Sequence, residues 1–539
     1  MTDRVPPAPH EEEAASIYGR AGVVAFFTLL SRILGLARDL VIAHRFGAGA
    51  ATDAWVQAFR LPNALRRLTA EGSATIAFVP IYVDVREKQG HDAAIRFSRR
   101  VLGIVLLATG ALVALGMVFN SELALVASPG FVSDAGKFDL TAALIRWTFP
   151  YLLLVSLVAW AMGVLNSEGR YAAPAAAPIL LNVGIIVGVL GFSDGFEHPI
   201  MAVAAGVLAG GAAQVLLQFP SLLASGAKPW PLLGWGDPAV RRLFGLLVPA
   251  LLSVSVYQIN LIVLGIIASF LPTGQIFDFN NATRLTELVL GLFAFAFTTA
   301  GLPALSRHMA RGDWARTSEV ARLTFSAVLF TILPAMAGLI GAAPAIVAML
   351  YLRGEFGYAD VLITADTLRV LALGMPAVAA VRVMVPIFYA LKDARTPALV
   401  SLAALFVTAG LGWWFSRYWE VRGLALGLTA GSWFNCLLLG LTLRARADRL
   451  SGWFSLRAAG LQAGAAAAMG VLAYWATGLG EWQVGGQSAW NWTLFTGTVL
   501  GAGGFYLAVT LVASEPESRR WLHLLNRGLA RIGRWGQRS

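Results

Sequence analysis

Residues 31–84 read SRILGLARDLVIAHRFGAGAATDAWVQAFRLPNALRRLTAEGSATIAFVPIYVD. The stretch is apolar enough for two membrane-crossing helices, yet it carries Arg32, Arg38, Asp39, Asp53, Arg60, Arg66, Arg67 and Glu71. An ionised side chain at bilayer depth costs roughly 3 kcal/mol on insertion scales, so a hairpin this charged does not insert facing lipid. The charges must face one another or a water-filled cavity. Helical spacing agrees: Asp39 follows Arg32 by two turns on one side of the first helix, and Asp53, Arg60 and Arg67 recur every second turn along the next. Asn63 lies one turn from Arg60 and Arg67, and Glu71 one turn beyond Arg67. The reading is a polar stripe with more positive than negative charge. Arg66 and Arg67 are adjacent, so one of them leaves the stripe and snorkels toward headgroups. Pro62 and Gly72 allow bending where freed backbone groups find partners in neighbouring helices or water.

Composition sets the class. The chain has 539 residues, 57% hydrophobic and 13% charged, with a mean hydropathy of +0.68. A soluble protein of this size cannot hide so much apolar surface, which makes this an all-α polytopic membrane protein. The net charge of +11 fits basic cytoplasmic loops, and nucleic acid is not an expected partner. The single cysteine, Cys436, excludes an intramolecular disulfide and sits in an apolar run. The first residues, MTDRVPPAPHEEEAAS, lack the pattern of a cleaved signal peptide, so the first helix serves as the insertion signal.

A window of roughly 20 residues gives about fourteen spans: 22–46, 52–84, 99–126, 140–165, 174–194, 199–225, 243–270, 276–306, 318–345, 361–391, 396–417, 421–444, 455–478 and 488–513. With the N-terminus in the cytoplasm, the inward loops hold most of the Lys and Arg between spans. The outward ones hold little beyond Arg45, Lys137, Arg353, Arg417 and Arg422. The asymmetry predicts both termini in the cytoplasm.

The chain also repeats. Pro80 and Pro174, displaced by 223 residues, land on Pro303 and Pro397, and AFRL at 58–61 answers ATRL at 282–285. An offset spanning an even number of helices means two six-helix lobes of the same orientation, parallel repeats, followed by two extra C-terminal helices. The expected organisation is an N-terminal tail (1–20), an N-lobe (21–226), an amphipathic cytoplasmic linker (227–242), a C-lobe (243–446), the extra helices (447–513) and a basic amphipathic tail (514–539). The tail reads as an interfacial helix attracted to anionic lipid. In the second lobe, Asn280, Arg284 and Glu287 share a helix face, and Arg284 occupies the repeat position of Arg60. That face reads either as a local ion pair or as the second wall of a cationic cavity. Across the repeat, Arg60 and Arg284 are expected to face each other. Ala48 and Phe270, at the outer ends of spans one and seven, are then a crosslink reporting lobe motion. Arg382 reaches the cavity or pairs locally. Asn182, Gln214, Gln258 and Asn260 read as hydrogen bonds between helices, and Trp413, Trp414 and Trp419 as part of an interfacial belt.

Arginine pairs bidentately with phosphate and keeps its charge in low dielectric. A cavity with several arginines suits an anionic headgroup such as a pyrophosphate, whereas a cavity for cationic drugs needs carboxylates and aromatics. HExxH, GxSxG and P-loop motifs are absent, so the reading is a transporter and not an enzyme, with no cofactor. The energy source is then an ion gradient, the membrane potential or the substrate gradient.

Several motifs carry a family resemblance. Ser31–Arg32, GLARD at 35–39, FGAG followed by TDA at 52–54, and LPNALRRLTAEGSATIAFVPIY at 61–82 resemble the signature of the MurJ (MviN-type) lipid II flippases. These belong to the multidrug/oligosaccharidyl-lipid/polysaccharide exporter superfamily. The similarity continues through LNSEGRYAAPAAAPILLN, GLPALSRH, RGEF, FYALKDARTPALVSL and GLALGLTAGSWFN. It implies fourteen helices, two six-helix lobes and alternating access that flips undecaprenyl-pyrophosphate-linked peptidoglycan precursor outward, with cell-wall synthesis proteins as further partners. By motif it implies transport roles for Arg32, Arg38, Asp53, Arg66, Arg67, Glu71 and Arg284. Two departures stand out. The family's YADRL is NATRL here, placing Thr283 where an acid is usual, and the seventh span has no acidic residue, which leaves the coupling ion open. A flippase for another lipid-linked oligosaccharide such as O-antigen, and a cation-coupled drug exporter, are the alternatives.

Overall fold

The computed structural model describes residues 9–69, 73–292, 303–446, 454–483, 486–513 and 519. Among these the chain is helical, with an isolated bridge between Arg353 and Phe356 as its one strand-like feature. The described residues fall into two compact units, Met1–Gly274 and Gln275–Ser539.

The first unit holds α1 (Pro9–Phe46), α2 (Ala50–Thr69), α3 (Ser73–Gln89), α4 (His91–Val118), α5 (Asn120–Ala127), α6 (Ala135–Thr148), α7 (Tyr151–Ser167), α8 (Ala172–Phe192), α9 (Met201–Leu223) and α10 (Pro238–Ala268). Glycine sets the tightest packing. A Cβ on Gly184 of α8 would meet Gly210 Cα at 2.6 Å and the Gly206 carbonyl oxygen at 2.7 Å, both on α9. Small residues one turn apart on both helices let the backbones meet, the usual source of helix association where lipid supplies no hydrophobic drive. At the other side, Phe78 and Tyr82 of α3, Phe97 of α4 and Val164 of α7 share one apolar cluster with Val240 and Leu243 of α10.

The second unit holds α11 (Gln275–Leu292), α12 (303–310), α13 (Trp314–Gly341), α14 (Ala343–Tyr351), α15 (Tyr358–Ala372), α16 (Met375–Ala390), α17 (Arg395–Arg446), α18 (Leu456–Thr477) and α19 (Ala489–Val512). The two extra C-terminal helices, α18 and α19, pack on α13 through Phe330, Ala337, Met469, Ala473 and Tyr506. The Tyr506 hydroxyl donates to the Phe330 carbonyl at 3.0 Å.

Among the described residues each expected span is mainly helical, with breaks inside 140–165, 318–345 and 361–391. Among the described residues, eight helices are long and apolar enough to cross a membrane, or nine with the bent pair α15–α16. The 52-residue α17 breaks at Trp419 and Glu420, between the spans expected at 396–417 and 421–444. Glu420 has φ 49°, a left-handed conformation that a non-glycine residue adopts only when its surroundings hold it. Here the Gln275 side chain grips both sides of the corner: it donates to the Glu420 carboxylate and accepts from the Val421 N–H at 3.0 Å.

The contact boundary lies at 274/275, beyond the linker expected at 227–242. Helix α10, expected in the second lobe, packs on α2, α3, α4 and α5 of the first unit. The reason is a clamp that no span count detects. Leu232 N–H donates to the Arg99 carbonyl at 2.9 Å, Arg99 Nε to the Trp230 carbonyl at 2.8 Å, and Arg100 pairs with Asp237. Asp237 also caps α10 through the Ala239 N–H at 2.8 Å. Trp230, Leu233 and Trp235 stay exposed, the composition of an interfacial segment. Ala48 and Phe270 consequently lie in one unit, so a crosslink between them does not report motion of one unit against the other.

Candidate functional site

Helices α1 and α2 supply most of the expected charges, and the structure sorts them into neutralised and unneutralised groups. On α1, Arg38 donates to Asp39 Oδ1 from Nε at 2.9 Å and from Nη2 at 2.6 Å. Its Nη1 reaches Asn182 Oδ1 on α8 at 3.2 Å, and Asn182 Nδ2 returns to the Ser31 carbonyl at 3.1 Å. The expected interhelical role of Asn182 is therefore observed. Asp39 takes the adjacent Arg38 as its partner, not Arg32 two turns back. Arg32 is exposed and makes no ion pair or hydrogen bond among the described residues.

On α2 the stripe divides. Asp53 is fully buried, 2.8 Å from Lys137 Nζ, and accepts from the Gly274 N–H at 2.8 Å. Lys137 is itself buried and lies over the Phe131 ring at 4.2 Å. Two turns further, Arg60 packs against α10, with Nη1 buried and without a hydrogen-bond partner among the described residues. Arg66 donates from Nε to Asn63 Oδ1 at 3.0 Å. Arg67 belongs to α2, and Glu71 lies outside the described residues.

In the second unit Arg284 and Glu287 of α11 stand 4.0 Å apart, each about a third exposed. A pair this long and wet contributes less than about 1 kcal/mol. Arg382 of α16 reaches the Leu290 carbonyl at 3.5 Å. Asp278, which sequence reading passed over, is buried and accepts from Thr364 of α15 at 2.9 Å.

Arg38, Asp39 and Asn182 thus come together, as do Asp53 and Lys137, and these two groups are separate. Lys137 was missed because its loop position marks it as solvated, and nothing local signals a partner 84 residues away. Gln57 and Gly265 were missed as well. The chemistry left over is cationic: Arg32 on α1 and Arg60 on α2 carry charge that no described carboxylate neutralises. Planar guanidinium forks in that setting bind phosphate-like anions.

A family model described as lipid II flippase MurJ matches residues 42–490. The chain is 34% identical over 508 residues to the probable lipid II flippase MurJ of Vibrio cholerae serotype O1, covering 91% of this chain and 95% of that protein. It is 35% identical over 427 residues to the lipid II flippase MurJ of Burkholderia cenocepacia, covering 78% and 83%. Among solved structures it resembles a lipid II flippase MurJ in an inward closed conformation, with TM-score 0.75, 24% identity and coverage of 91% and 98%. An inward-facing multidrug resistance MATE family transporter of the MOP superfamily shares the fold at TM-score 0.67 and 14% identity, over 80% of this chain and 98% of that one.

Proposed function

The chain belongs to the lipid II flippase MurJ family, and from that premise we propose that it carries lipid II from the inner to the outer leaflet by way of cationic side chains. The observation that carries the chemistry is that Arg32 and Arg60 have no carboxylate partner among the described residues. The cargo's pyrophosphate is the anion that neutralises them. Arg38 and Asp39 brace α1 against α8, and Asp53 with Lys137 anchors α2. Alternating access moves the headgroup while the undecaprenyl chain stays in lipid. The protein resides in the bacterial inner membrane with both termini in the cytoplasm, its exposed linker tryptophans resting on anionic lipid; the basic tail lies outside the described residues. Energy comes from an ion gradient, the membrane potential or the cargo's own gradient.

The test is depletion in cells carrying a labelled undecaprenyl-linked precursor, complemented by variants. Depletion should trap the label on the inner leaflet. Arg32→Ala, Arg60→Ala and Arg284→Ala should each cut export at least tenfold, about 1.4 kcal/mol, with membrane insertion unimpaired because a removed charge eases insertion. Lysine should rescue poorly where bidentate contact is used. Normal export by all three alanine variants overturns the cationic site. Accumulation of O-antigen precursor in place of peptidoglycan precursor would select the other lipid-linked oligosaccharide as cargo.

A further inference from the structure

Gly265 lies in the last turn of α10, and the space left by its missing side chain is filled by Arg60. A Cβ at Gly265 would stand 2.0 Å from Arg60 Nη1, 3.0 Å from Cζ and 3.1 Å from Cδ. No carbon sits that close to a guanidinium, so a side chain at 265 would push the Arg60 guanidinium out of this position. Gln57, one turn before Arg60, fixes the same contact from the other side: its Nε2 donates to the Gly265 carbonyl at 2.7 Å. The same carbonyl also accepts from the Ser269 N–H at 3.0 Å. Nη1 of Arg60 is left buried with no acceptor among the described residues. A buried donor of a charged group that goes unmade is costly, and the guanidinium has five donors to satisfy. Asp53, two turns earlier on the same helix, is anchored by a lysine and a backbone N–H. Arg60 is packed in place but not bonded in place.

We propose that Gly265 is a positioning residue for transport, forming on α10 the berth in which Arg60 is held under-bonded until a phosphate-bearing cargo engages it. This rests on the reading of Arg60 as a cargo contact, but the residue it names is uncharged and touches no cargo. Gln57 is the berth's second wall. The device keeps a charge ready: a guanidinium already paired with a carboxylate must break that pair before it can bind an anion, whereas one held by shape alone loses nothing by turning to a ligand.

Gly265→Ala tests it with two readouts on the full-length protein. The first is phenylglyoxal modification of the purified, cargo-free protein, followed by peptide mapping. Arg60 should react several-fold faster in Gly265→Ala than in wild type, while the exposed Arg316 reacts equally in both. The second is transport of lipid II in vesicles. Gly265→Ala should raise the half-saturating cargo concentration several-fold at an unchanged thermal midpoint, and should add nothing in an Arg60→Gln background. If Gly265→Ala does not fold, Gln57→Leu removes the second wall without adding a Cβ at 265, while the Gly265 carbonyl keeps its Ser269 N–H at 3.0 Å, and should also speed Arg60 modification. Equal Arg60 reactivity in wild type and whichever variant folds overturns the berth. A transport defect that persists in full with Arg60→Gln shows that α10 packing is what matters and overturns the link to Arg60. Failure of lipid II transport by wild type, with the reactivity contrast intact, instead sinks the function proposed above and leaves the berth standing.

Discussion

Asp53 is a carboxylate with no exposure, held by Lys137 at 2.8 Å. Removing one member of such a pair strands the other as an uncompensated buried charge, at roughly 3–5 kcal/mol, whereas replacing both by apolar groups is often neutral. Asp53→Asn and Lys137→Met should therefore each lower the melting midpoint of the detergent-solubilised protein markedly, and the double variant should recover most of the loss. Single variants that melt like wild type would show that the pair contributes nothing to stability. The seven-residue spacing of Asp53, Arg60 and Arg67 correctly placed charges along one helix. It could not say which would be neutralised, because Lys137 and Gly265 reach α2 from distant parts of the chain. Arg38 makes the same point. Its carboxylate is the next residue, yet the Asn182 that completes the group comes from α8.

At the scale of elements, glycine decides where helices touch. Gly184 and Gly188 on α8, and Gly206 and Gly210 on α9, each lie one turn apart, and a Cβ on Gly206 would meet Gly184 O at 2.6 Å and Ile185 Cα at 2.8 Å. Backbone on both sides leaves no flexible side chain to give way. Gly206→Leu should cost more than the roughly 1–3 kcal/mol of ordinary overpacking and abolish recovery of folded protein, while Gly497→Leu, where nothing lies within 4 Å, should be recovered normally. Equal yields would show that α8 and α9 separate without penalty. The corner in α17 was legible as a gap between two apolar windows. Its geometry was not, since the Gln275 side chain that holds Glu420 and Val421 belongs to another helix.

At the scale of the molecule, the link between the repeats runs through the 227–237 segment, yet α10 belongs by contact to the unit before it. Coexpressed fragments 1–227 and 228–539 should therefore co-purify, because α10 on the second fragment docks on α2, α3, α4 and α5 of the first. Charge reversal at Asp237, which caps α10 and pairs with Arg100, should weaken that association, read as the yield of one fragment on affinity capture of the other. Recovery unchanged by the reversal would show that the Arg100–Asp237 clamp is not what seats α10.

Sequence alone determined the all-α membrane class, the fourteen helical segments and the family, because hydrophobic length, helical period and motif spacing are local properties that survive without any contact being known. It also placed Arg32 and Arg38, and Arg60, Arg66 and Arg67, on two successive helices. Only the tertiary structure decided which of them are spent on internal partners and which have no carboxylate partner among the described residues. Neutralisation depends on atoms within about 4 Å, and the atoms that matter, on Lys137, Asn182 and Gly265, lie 84, 144 and 205 residues from Asp53, Arg38 and Arg60. It decided the unit boundary for the same reason, since the clamp on the linker is made by Arg99 and Arg100, side chains whose positive charge marked them only as cytoplasmic.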